Sequence, residues 1–478
     1  MSQSFASQVA RSLLYSGLGN ALSRVIFLVG LTWTLKLVTP ADFGLASVSL
    51  ALIGVLTGVA DLGLSRALVQ AKDPSRGQID SLMWLGTAVA TATFLVLCLG
   101  APLIADFYGQ PELTPILRVH SAVLMASGIE LVPRAQLTRE LSFGRLVLID
   151  NLSLTLSAAL MVYFAQRGLG PWAIVAADVA NRGGRALLCQ LLRPHLPRLS
   201  GLGGVGELVN FGAYTTGSRL LYNLYVNADY LIVGKVFGPE VMGIYAAAYR
   251  IVFDPLRAVT GAINQVVFPA LARLREELPR LRRYYFTMAR TSLLLVGTLL
   301  LTVAVFVDWG LRLGGYEQWL PAVPFVHAFA IIGVVRCVSP LVPQLLNANG
   351  QARDNFFYST ATAAVMPLLF LVGSQFGIEG VVGAWIVGYP FLASLLFFFG
   401  ARALQLSWYR IVAGSYAGMW LLLPATVVAL GLRALAGAEP SVGMSLLAVV
   451  VTLLTSLSTV FFAEREAVQL LLKRRATT

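Results

Sequence analysis

Apolar stretches long enough to cross a bilayer as helices, about 20 residues each, follow one another almost from end to end of this chain. Of the 478 residues, 57% are apolar and only 12% are charged, a balance far from that of a soluble protein. Backbone polar groups in lipid are satisfied only within helices or closed barrels. The sequence therefore predicts an all-α integral membrane protein and leaves little chain for a soluble domain.

Fourteen transmembrane helices are predicted from apolar runs that end at glycine, proline or charge. A polar break at 193–206, RPHLPRLSGLGGVG, cannot continue a helix in lipid and separates the first six spans from the rest. The predicted organisation is an N-lobe (1–192, helices 1–6), a cytoplasmic linker (193–206), a C-lobe (207–401, helices 7–12), and helices 13 and 14 with a cytoplasmic tail (402–478). The spans are 13–38, 44–67, 80–107, 112–132, 146–166, 170–192, 207–237, 240–270, 284–307, 318–347, 355–376, 378–401, 408–432 and 441–463.

Positive charge recurs in every second loop, so it is concentrated on one side of the predicted membrane. Most of the 35 Lys and Arg residues fall on one side, and short loops with excess positive charge are cytoplasmic. Arg134, Arg182 and Arg185 are counted with that side, and both termini are expected in the cytoplasm. The net charge of +12 thus follows the loops rather than a basic face of a soluble domain, so no nucleic acid is expected as a partner.

Cysteine and histidine residues are few and widely spaced, so neither a disulfide framework nor a clustered metal site is expected. The first residues run directly into an apolar segment without a small-residue cleavage site. We therefore expect a retained first helix rather than a cleaved signal peptide.

An internal repeat relates the two predicted lobes. The segment 36–44, KLVTPADFG, returns as KVFGPEVMG at 235–243, and a weaker echo pairs 118–120 with 325–327. Six predicted helices separate the members of each pair, so the repeat is parallel and its axis runs along the membrane normal. Two pseudo-symmetric six-helix lobes around a central cavity are the expected architecture.

Five segments carry a family resemblance: LVTPADFGLASVSLAL (37–52), ADLGLSRALVQAKD (60–73), LVPRAQLTRELSFGRLVLID (131–150), GKVFGPEVMGIYAAAYRIVFDPL (234–256) and VVFPALARL (266–274). They resemble the polysaccharide transporters of the multidrug/oligosaccharidyl-lipid/polysaccharide exporter superfamily. The segment 131–150 is the most specific and is similar to the colanic-acid-exporter-like branch of Wzx-type proteins.

The resemblance implies a flippase of the bacterial inner membrane. By alternating access it would move undecaprenyl-pyrophosphate-linked oligosaccharide repeat units from the cytoplasmic to the periplasmic leaflet, for lipopolysaccharide, capsule or exopolysaccharide assembly. In such relatives two lobes enclose a cationic cavity. The implied partners are the lipid-linked oligosaccharide, membrane lipids, a polysaccharide polymerase and a chain-length regulator. We expect no enzymatic activity and no cofactor other than a coupling H⁺ or Na⁺.

Arginines at membrane depth are the predicted substrate contacts. Arg24, Arg219 and Arg336 lie near the middles of spans, and Arg250 lies about 15 Å along its span. Charge is costly at this depth and usually functional, and a guanidinium donates paired hydrogen bonds to phosphate oxygens. The alternative is pairing or snorkelling within the bundle, which Asp254 favours for Arg250 and for its neighbour at 257.

Sugar hydroxyl groups are expected to meet weaker polar side chains. The main candidates are Asn20, Asn223, Asn227 and Tyr249. Tyr222, Tyr245 and Gln265 are further candidates. Interfacial tyrosine also simply anchors helices, and Lys36 and Lys235 near span ends are expected to snorkel.

Asp229 and Asp61 are the predicted coupling carboxylates, because a carboxylate in a cavity can exchange a proton or hold Na⁺. For Asp61, a structural charge pair with Arg66 is the favoured alternative. Glu130, Asp150 and Asp178 are weaker candidates because they lie near predicted ends or polar neighbours.

Two other functions remain open from the sequence. A multidrug exporter of the same superfamily would share the architecture, but a carboxylate-centred cavity is expected for cationic drugs, whereas the charge at depth here is mostly positive. A membrane glycan polymerase or ligase generally needs a sizeable periplasmic loop or an acidic metal motif, and neither is evident in the sequence.

Overall fold

The computed structural model describes residues 23, 25–61, 63–71, 73–198, 206–437 and 440–463. Over these residues the secondary structure is helical, with no strand. Two compact units follow one another along the chain, Met1–Gly243 and Ile244–Thr478. The chain is an all-α membrane protein, as the sequence predicted, while the lobe boundaries at 192 and 207 remain a prediction.

The first unit contains seven helices within the described part and the first stretch of an eighth. They are α1 (Val25–Leu37), α2 (Pro40–Asp61), α3 (Leu64–Gln70), α4 (Arg76–Tyr108), α5 (Leu113–Arg139), α6 (Phe143–Gln166), α7 (Trp172–Leu192) and the start of α8 (Gly206–Leu274).

Local sequence signals set several of these ends. Ser75 begins α4 with a capping box, in which its hydroxyl accepts from the Gln78 N–H and the Gln78 side chain accepts from the Ser75 N–H. Gly109 ends α4 at a positive φ of 66°. The predicted span 44–67 is divided in the structure, because Gly63 at φ 63° separates α2 from the short α3.

The long helix α8 is two helices joined at a bend. Gly238 has φ 82° and ψ 178°, values that glycine adopts readily and that interrupt a helix. The bend lies between the predicted spans seven and eight, 207–237 and 240–270.

The second unit continues α8 and adds nine helices among the described residues: α9 (Leu278–Gly314), α10 (Val323–Val338), α11 (Leu341–Ala348), α12 (Ala352–Ser374), α13 (Ile378–Gly383), α14 (Tyr389–Ala403), α15 (Trp408–Tyr416), α16 (Leu423–Ala436) and α17 (Val442–Ala463). Short 3₁₀ turns at Glu317–Ala322 and Met419–Leu422 and a π turn at Ala384–Gly388 join consecutive helices. Within this unit the Arg433 guanidinium of α16 binds both oxygens of Asp308 on α9, at 2.9 and 2.7 Å.

Eleven helices of the described chain are long and apolar enough to cross a membrane. The stretch Leu220–Gly261 counts once although it bends at Gly238, and α1 is shorter than a span in its described part. Helix α7 is not among the eleven, and it carries Asp178, Arg182 and Arg185 within its 21 residues. The count of fourteen would follow from adding α1 and α7 and dividing α8 at its bend, and it remains a prediction.

The two copies of the predicted repeat lie against each other within the first unit. A Cβ atom added to Gly44 would stand 1.8 Å from the carbonyl oxygen of Pro239. Reciprocally, a Cβ added to Gly243 would stand 1.8 Å from the carbonyl oxygen of Pro40. Only glycine permits so close an approach of two helix backbones.

The start of the predicted linker is fixed to the first unit. The imidazole Nε2 of His195 lies 2.7 Å from a carboxylate oxygen of the buried Asp80 on α4. The Trp84 indole donates to the Arg198 carbonyl at 3.3 Å, and Arg193 pairs with a glutamate at the end of α5. Residues 193–198 are therefore ordered against α4 and α5, and they are not helical.

Candidate functional site

Helices α5 and α7 of the first unit carry charge along facing surfaces. On α5, Glu130 and Arg134 lie four residues apart, and on α7, Asp178 and Arg182 have the same spacing. Residues at this spacing share one face of a helix. Arg185 lies three residues beyond Arg182 and extends that face.

These five charged side chains line a cavity of about 550 Å³ within the first unit. Its remaining lining is neutral and in large part polar: Thr57, Ser65, Val123, Ser127, Leu131 and Asn181. The sequence interpretation counted Arg134, Arg182 and Arg185 among the charges of the cytoplasmic side, but the structure places all three within helices α5 and α7.

Arg134 is the most completely neutralised of the three arginines. Its two terminal nitrogens donate to the two carboxylate oxygens of Asp150 on α6, both at 3.0 Å. This bidentate geometry is the strong form of a guanidinium–carboxylate contact. Arg134 therefore joins α5 to α6 while contributing one edge of the cavity.

Arg182 is held from two sides. Its Nε lies 3.1 Å from Oδ2 and 3.3 Å from Oδ1 of Asp178, and its Nη1 donates to the Thr57 hydroxyl of α2 at 3.2 Å. Its guanidinium thus has fixed partners on both α7 and α2.

Arg185 has the weakest protein partner. One nitrogen, Nη2, lies 3.4 Å from Oε1 of Glu130, at the outer limit of a hydrogen bond. The Arg185 Nε and the Glu130 Oε2 are both buried and have no hydrogen-bond partner among the residues that the structure describes. This pair is therefore under-satisfied on both sides.

A buried chain of hydrogen bonds supports Asp178 from behind. The His120 Nε2 lies 3.1 Å from Asp178 Oδ2, and the His120 Nδ1 lies 2.7 Å from the Ser49 hydroxyl. Ser49 and His120 are both 0% exposed, so this Ser-His-Asp set has no surface at which a substrate could meet the serine. Its evident effect is to orient the Asp178 carboxylate toward the cavity side.

In the second unit, Arg336 lies in a box of aromatic rings. Its guanidinium carbon is 4.4 Å from the ring centroid of Phe253, 4.9 Å from Trp385 and 5.4 Å from Tyr389. Its Nη1 donates to the Tyr249 hydroxyl at 3.0 Å. Cation–π contacts of this kind stabilise a guanidinium away from water, so the structure brings the predicted residues Arg336 and Tyr249 together.

The other described candidates are distributed along α8. Asn223 and Asn227 lie one turn apart in the first unit, where the Asn227 amide donates to the Asn223 carbonyl at 2.7 Å. Asp229 is 0% exposed and accepts the N–H of Tyr230 at 2.9 Å. Arg250 lies half-buried in the second unit.

Several lesser predictions also have a place in the structure. The Asp254 carboxylate, offered as a partner for two arginines, lies 3.6 Å from Arg257. The Lys235 ammonium donates to the Phe107 carbonyl and lies 4.5 Å from the centroid of that ring. Tyr245 is fully buried, and its hydroxyl accepts from an indole N–H at 3.0 Å.

Other predicted residues have no described side chain. Asn20 and Arg24 lie outside the described residues, while Asp61 and Arg219 are described only as helical backbone. Among the described residues, no group of three or more His, Cys, Asp or Glu side chains is placed to hold a metal ion.

Comparison with known proteins gives consistent matches. A family model described as "Polysaccharide biosynthesis protein" matches residues 35–324, which include the whole charged cavity. Teichuronic acid biosynthesis protein TuaB of Bacillus subtilis (strain 168) is 26% identical over 71% of this chain and 74% of its own length. Lipopolysaccharide biosynthesis protein WzxC of Escherichia coli (strain K12) is 23% identical over 85% of this chain and 83% of its own.

A solved structure, the lipid II flippase MurJ in an inward closed conformation, superimposes with a TM-score of 0.74. It covers 95% of this chain and all of that one, at 12% sequence identity. At that identity the likeness concerns the fold alone.

Proposed function

This chain belongs to the family of polysaccharide biosynthesis proteins, and from that membership we propose that it is a flippase for lipid-linked oligosaccharides. Its cargo is an oligosaccharide repeat unit on an undecaprenyl-pyrophosphate carrier, moved from the cytoplasmic to the periplasmic leaflet of the bacterial inner membrane by alternating access. The step is transport and makes or breaks no bond in the cargo. A polysaccharide polymerase and a chain-length regulator are the proposed downstream partners.

The arginine-lined cavity is the observation that carries this proposal. Charged side chains within membrane helices are costly, and they are retained where they face one another, a cavity or a substrate. Arg134, Arg182 and Arg185 line the cavity, and the buried Nε of Arg185 has no hydrogen-bond partner among the described residues. A diphosphate diester carries negative charge on exposed oxygens, and the planar guanidinium is the side chain best suited to bind it.

The position of the cavity along its helices fits loading from the cytoplasmic leaflet. Arg134 lies about 8 Å and Arg185 about 10 Å before the ends of α5 and α7, both of which are predicted to be cytoplasmic. A diphosphate at the membrane surface would therefore need to move only a short way into the protein. Both termini are proposed to be cytoplasmic because Lys and Arg are concentrated on that side of the predicted spans.

Flipping in proteoliposomes tests the proposal. The full-length protein is reconstituted with a fluorescent undecaprenyl-pyrophosphate oligosaccharide, and the fraction reaching the opposite leaflet is read by accessibility to a membrane-impermeant quencher. We expect activity in the wild type and its loss in Arg185→Gln at matched folding and reconstitution. Arg275→Gln, which changes an exposed arginine outside the cavity, is the matched control and should keep full activity.

Two results would contradict the proposal. Equal flipping by Arg185→Gln and the control would remove the cavity from the transport route. Failure of the wild type with several such lipids, together with pH-dependent movement of organic cations, would support the multidrug-exporter alternative instead.

A further inference from the structure

We propose that Glu130 is an internal counter-anion: it holds Arg185 before the substrate binds, yields it to the substrate diphosphate, and takes up a proton when it does so. The inference rests on the proposed function, because it describes how that same cavity receives its anionic substrate. It assigns a proton taken up on substrate binding to a residue that the sequence interpretation ranked as a weak candidate.

The first step is that Arg185 is the arginine most readily available to a ligand. Arg134 makes two 3.0 Å contacts with Asp150, and Arg182 is bound by both Asp178 and Thr57. Arg185 makes a single contact of 3.4 Å. An incoming phosphate oxygen therefore displaces less from Arg185 than from either neighbour.

The second step concerns what the displaced carboxylates would lose. Asp178 keeps a hydrogen bond from His120 if Arg182 moves away. Glu130 has no such reserve, because its Oε1 is bound only by Arg185 and its Oε2 is bound by nothing in the described part of the chain. Its side chain is 15% exposed. A carboxylate left unpaired at such a site is strongly disfavoured, and protonation removes the charge.

The charges facing Glu130 come from three helices. They are Arg185 and Arg182 on α7, Arg134 one turn along α5, and Asp150 on α6. Arg134 is committed to Asp150, and Arg182 to Asp178, so neither substitutes for Arg185 as a close partner. An arriving diphosphate adds negative charge to the same space and makes an ionised Glu130 still less favourable.

The exchange balances in charge and atoms. Before binding, the Glu130 carboxylate is paired with the Arg185 guanidinium. Afterwards, the guanidinium is paired with a phosphate oxygen, and the carboxyl group carries a proton drawn from the surrounding water. Because binding equilibria are reciprocal, the proton strengthens diphosphate binding by the same factor as the diphosphate strengthens proton binding.

Calorimetry on the purified full-length protein in detergent tests this exchange. The probe is geranyl-diphosphate-N-acetylglucosamine, a diphosphate diester that does not itself titrate near neutral pH. Titrations in two buffers of different ionisation enthalpy give the number of protons taken up on binding. We expect an uptake approaching one proton per ligand in the wild type, and an affinity that falls as pH rises.

Glu130→Gln separates this role from a merely structural one. The variant removes the competing anion but keeps the shape of the side chain. It should bind the probe at least about 5-fold more tightly above neutral pH, the lower end of typical coupling between two bound species. It should take up no proton, and its affinity should be flat with pH. Glu276→Gln, which changes an exposed carboxylate outside the cavity, should leave the proton uptake in place.

The outcomes separate this inference from the proposed function. Binding by the wild type without proton uptake, or weaker binding by Glu130→Gln, overturns the exchange while lipid flipping by the wild type still supports the flippase. The wild-type proton count decides the matter even where a variant fails to fold. A wild type that neither binds the probe nor flips the full-length lipid overturns both proposals together.

Discussion

The reciprocal glycine contact should be among the most sensitive points of the first unit. In Gly44→Ala the new methyl group would stand 1.8 Å from the Pro239 carbonyl oxygen and 2.9 Å from the Gly243 nitrogen. Real Cβ contacts are essentially never shorter than 3.0 Å, so the two backbones must separate by more than an ångström. Because both clashing groups are main-chain atoms, no rotamer change can relieve the overlap.

The expected loss is at the upper end of the range for overpacking, about 3 kcal/mol. For a domain of 150–250 residues, that corresponds to a melting temperature lower by roughly 6–12 °C. The assay is thermal unfolding of the purified protein in detergent, followed by fluorescence-detected size exclusion. Gly100→Ala is the matched control, since an added Cβ there has no atom within 4 Å, and alanine should stabilise helix α4 by about 0.5–1 kcal/mol.

The double variant Gly44→Ala/Gly243→Ala provides the decisive comparison. Once one alanine has separated the backbones, the second meets less resistance, so the double variant should lose less stability than the sum of the single changes. Strict additivity, or a Gly44→Ala protein as stable as the Gly100→Ala control, would refute the close approach of the two repeat segments.

Three further changes test other contacts. Asp150→Asn should lower the free energy of unfolding by about 1–3 kcal/mol, because Arg134 loses a bidentate partner. This value lies between those typical of exposed and of buried ion pairs. Thermal unfolding measures the loss, and an unchanged melting temperature would argue against the pair. Asp80→Asn should loosen the segment that holds His195, so trypsin should cleave after residue 198 faster than in the wild type, and equal cleavage rates would contradict a fixed linker. Arg336→Lys should lower the free energy of unfolding by about 1–2 kcal/mol, because an ammonium cannot reproduce the planar stacking in the aromatic box. Thermal unfolding measures this loss, and unchanged stability with lost probe binding would instead make Arg336 a substrate contact.

The fold was predictable because each membrane-spanning helix needs a run of about 20 apolar residues, and such runs are visible in the sequence. The polar break at 193–206 and the repeat at 36–44 and 235–243 were equally visible. The repeat did not predict that Gly44 and Gly243 lie at a close contact between the two copies. That contact depends on the angle and position at which two helices cross. The pattern of residues along the sequence does not specify this geometry.

The cavity was harder to predict, because its arginines were assigned to one side of the membrane and its ion pairs join residues that are distant in the sequence. Counting charge by side of the membrane treats Arg134 and Arg185 as loop-like residues, although both lie within helices. Local spacing offered a signal, since Glu130 and Arg134 are four residues apart, as are two charges of α7. Their cross-helix partners were not predictable, because Arg185 and Glu130 are 55 residues apart in the chain and meet only through tertiary packing.

Depth in the membrane proved an incomplete criterion for choosing functional cations. Arg336 was selected for its depth. In the structure, aromatic rings already cover the face of its guanidinium, and a tyrosine hydroxyl already accepts one of its N–H groups. Arg185 lies nearer a predicted helix end, yet a buried nitrogen of its guanidinium has no partner in the described part of the chain, and its counter-ion is under-satisfied as well. Since a ligand gains most where the protein's own contacts are poorest, unused hydrogen-bonding capacity ranks these arginines better than depth does. By that criterion the Arg185–Glu130 pair is the place where substrate and proton should bind together, the substrate on Arg185 and the proton on Glu130.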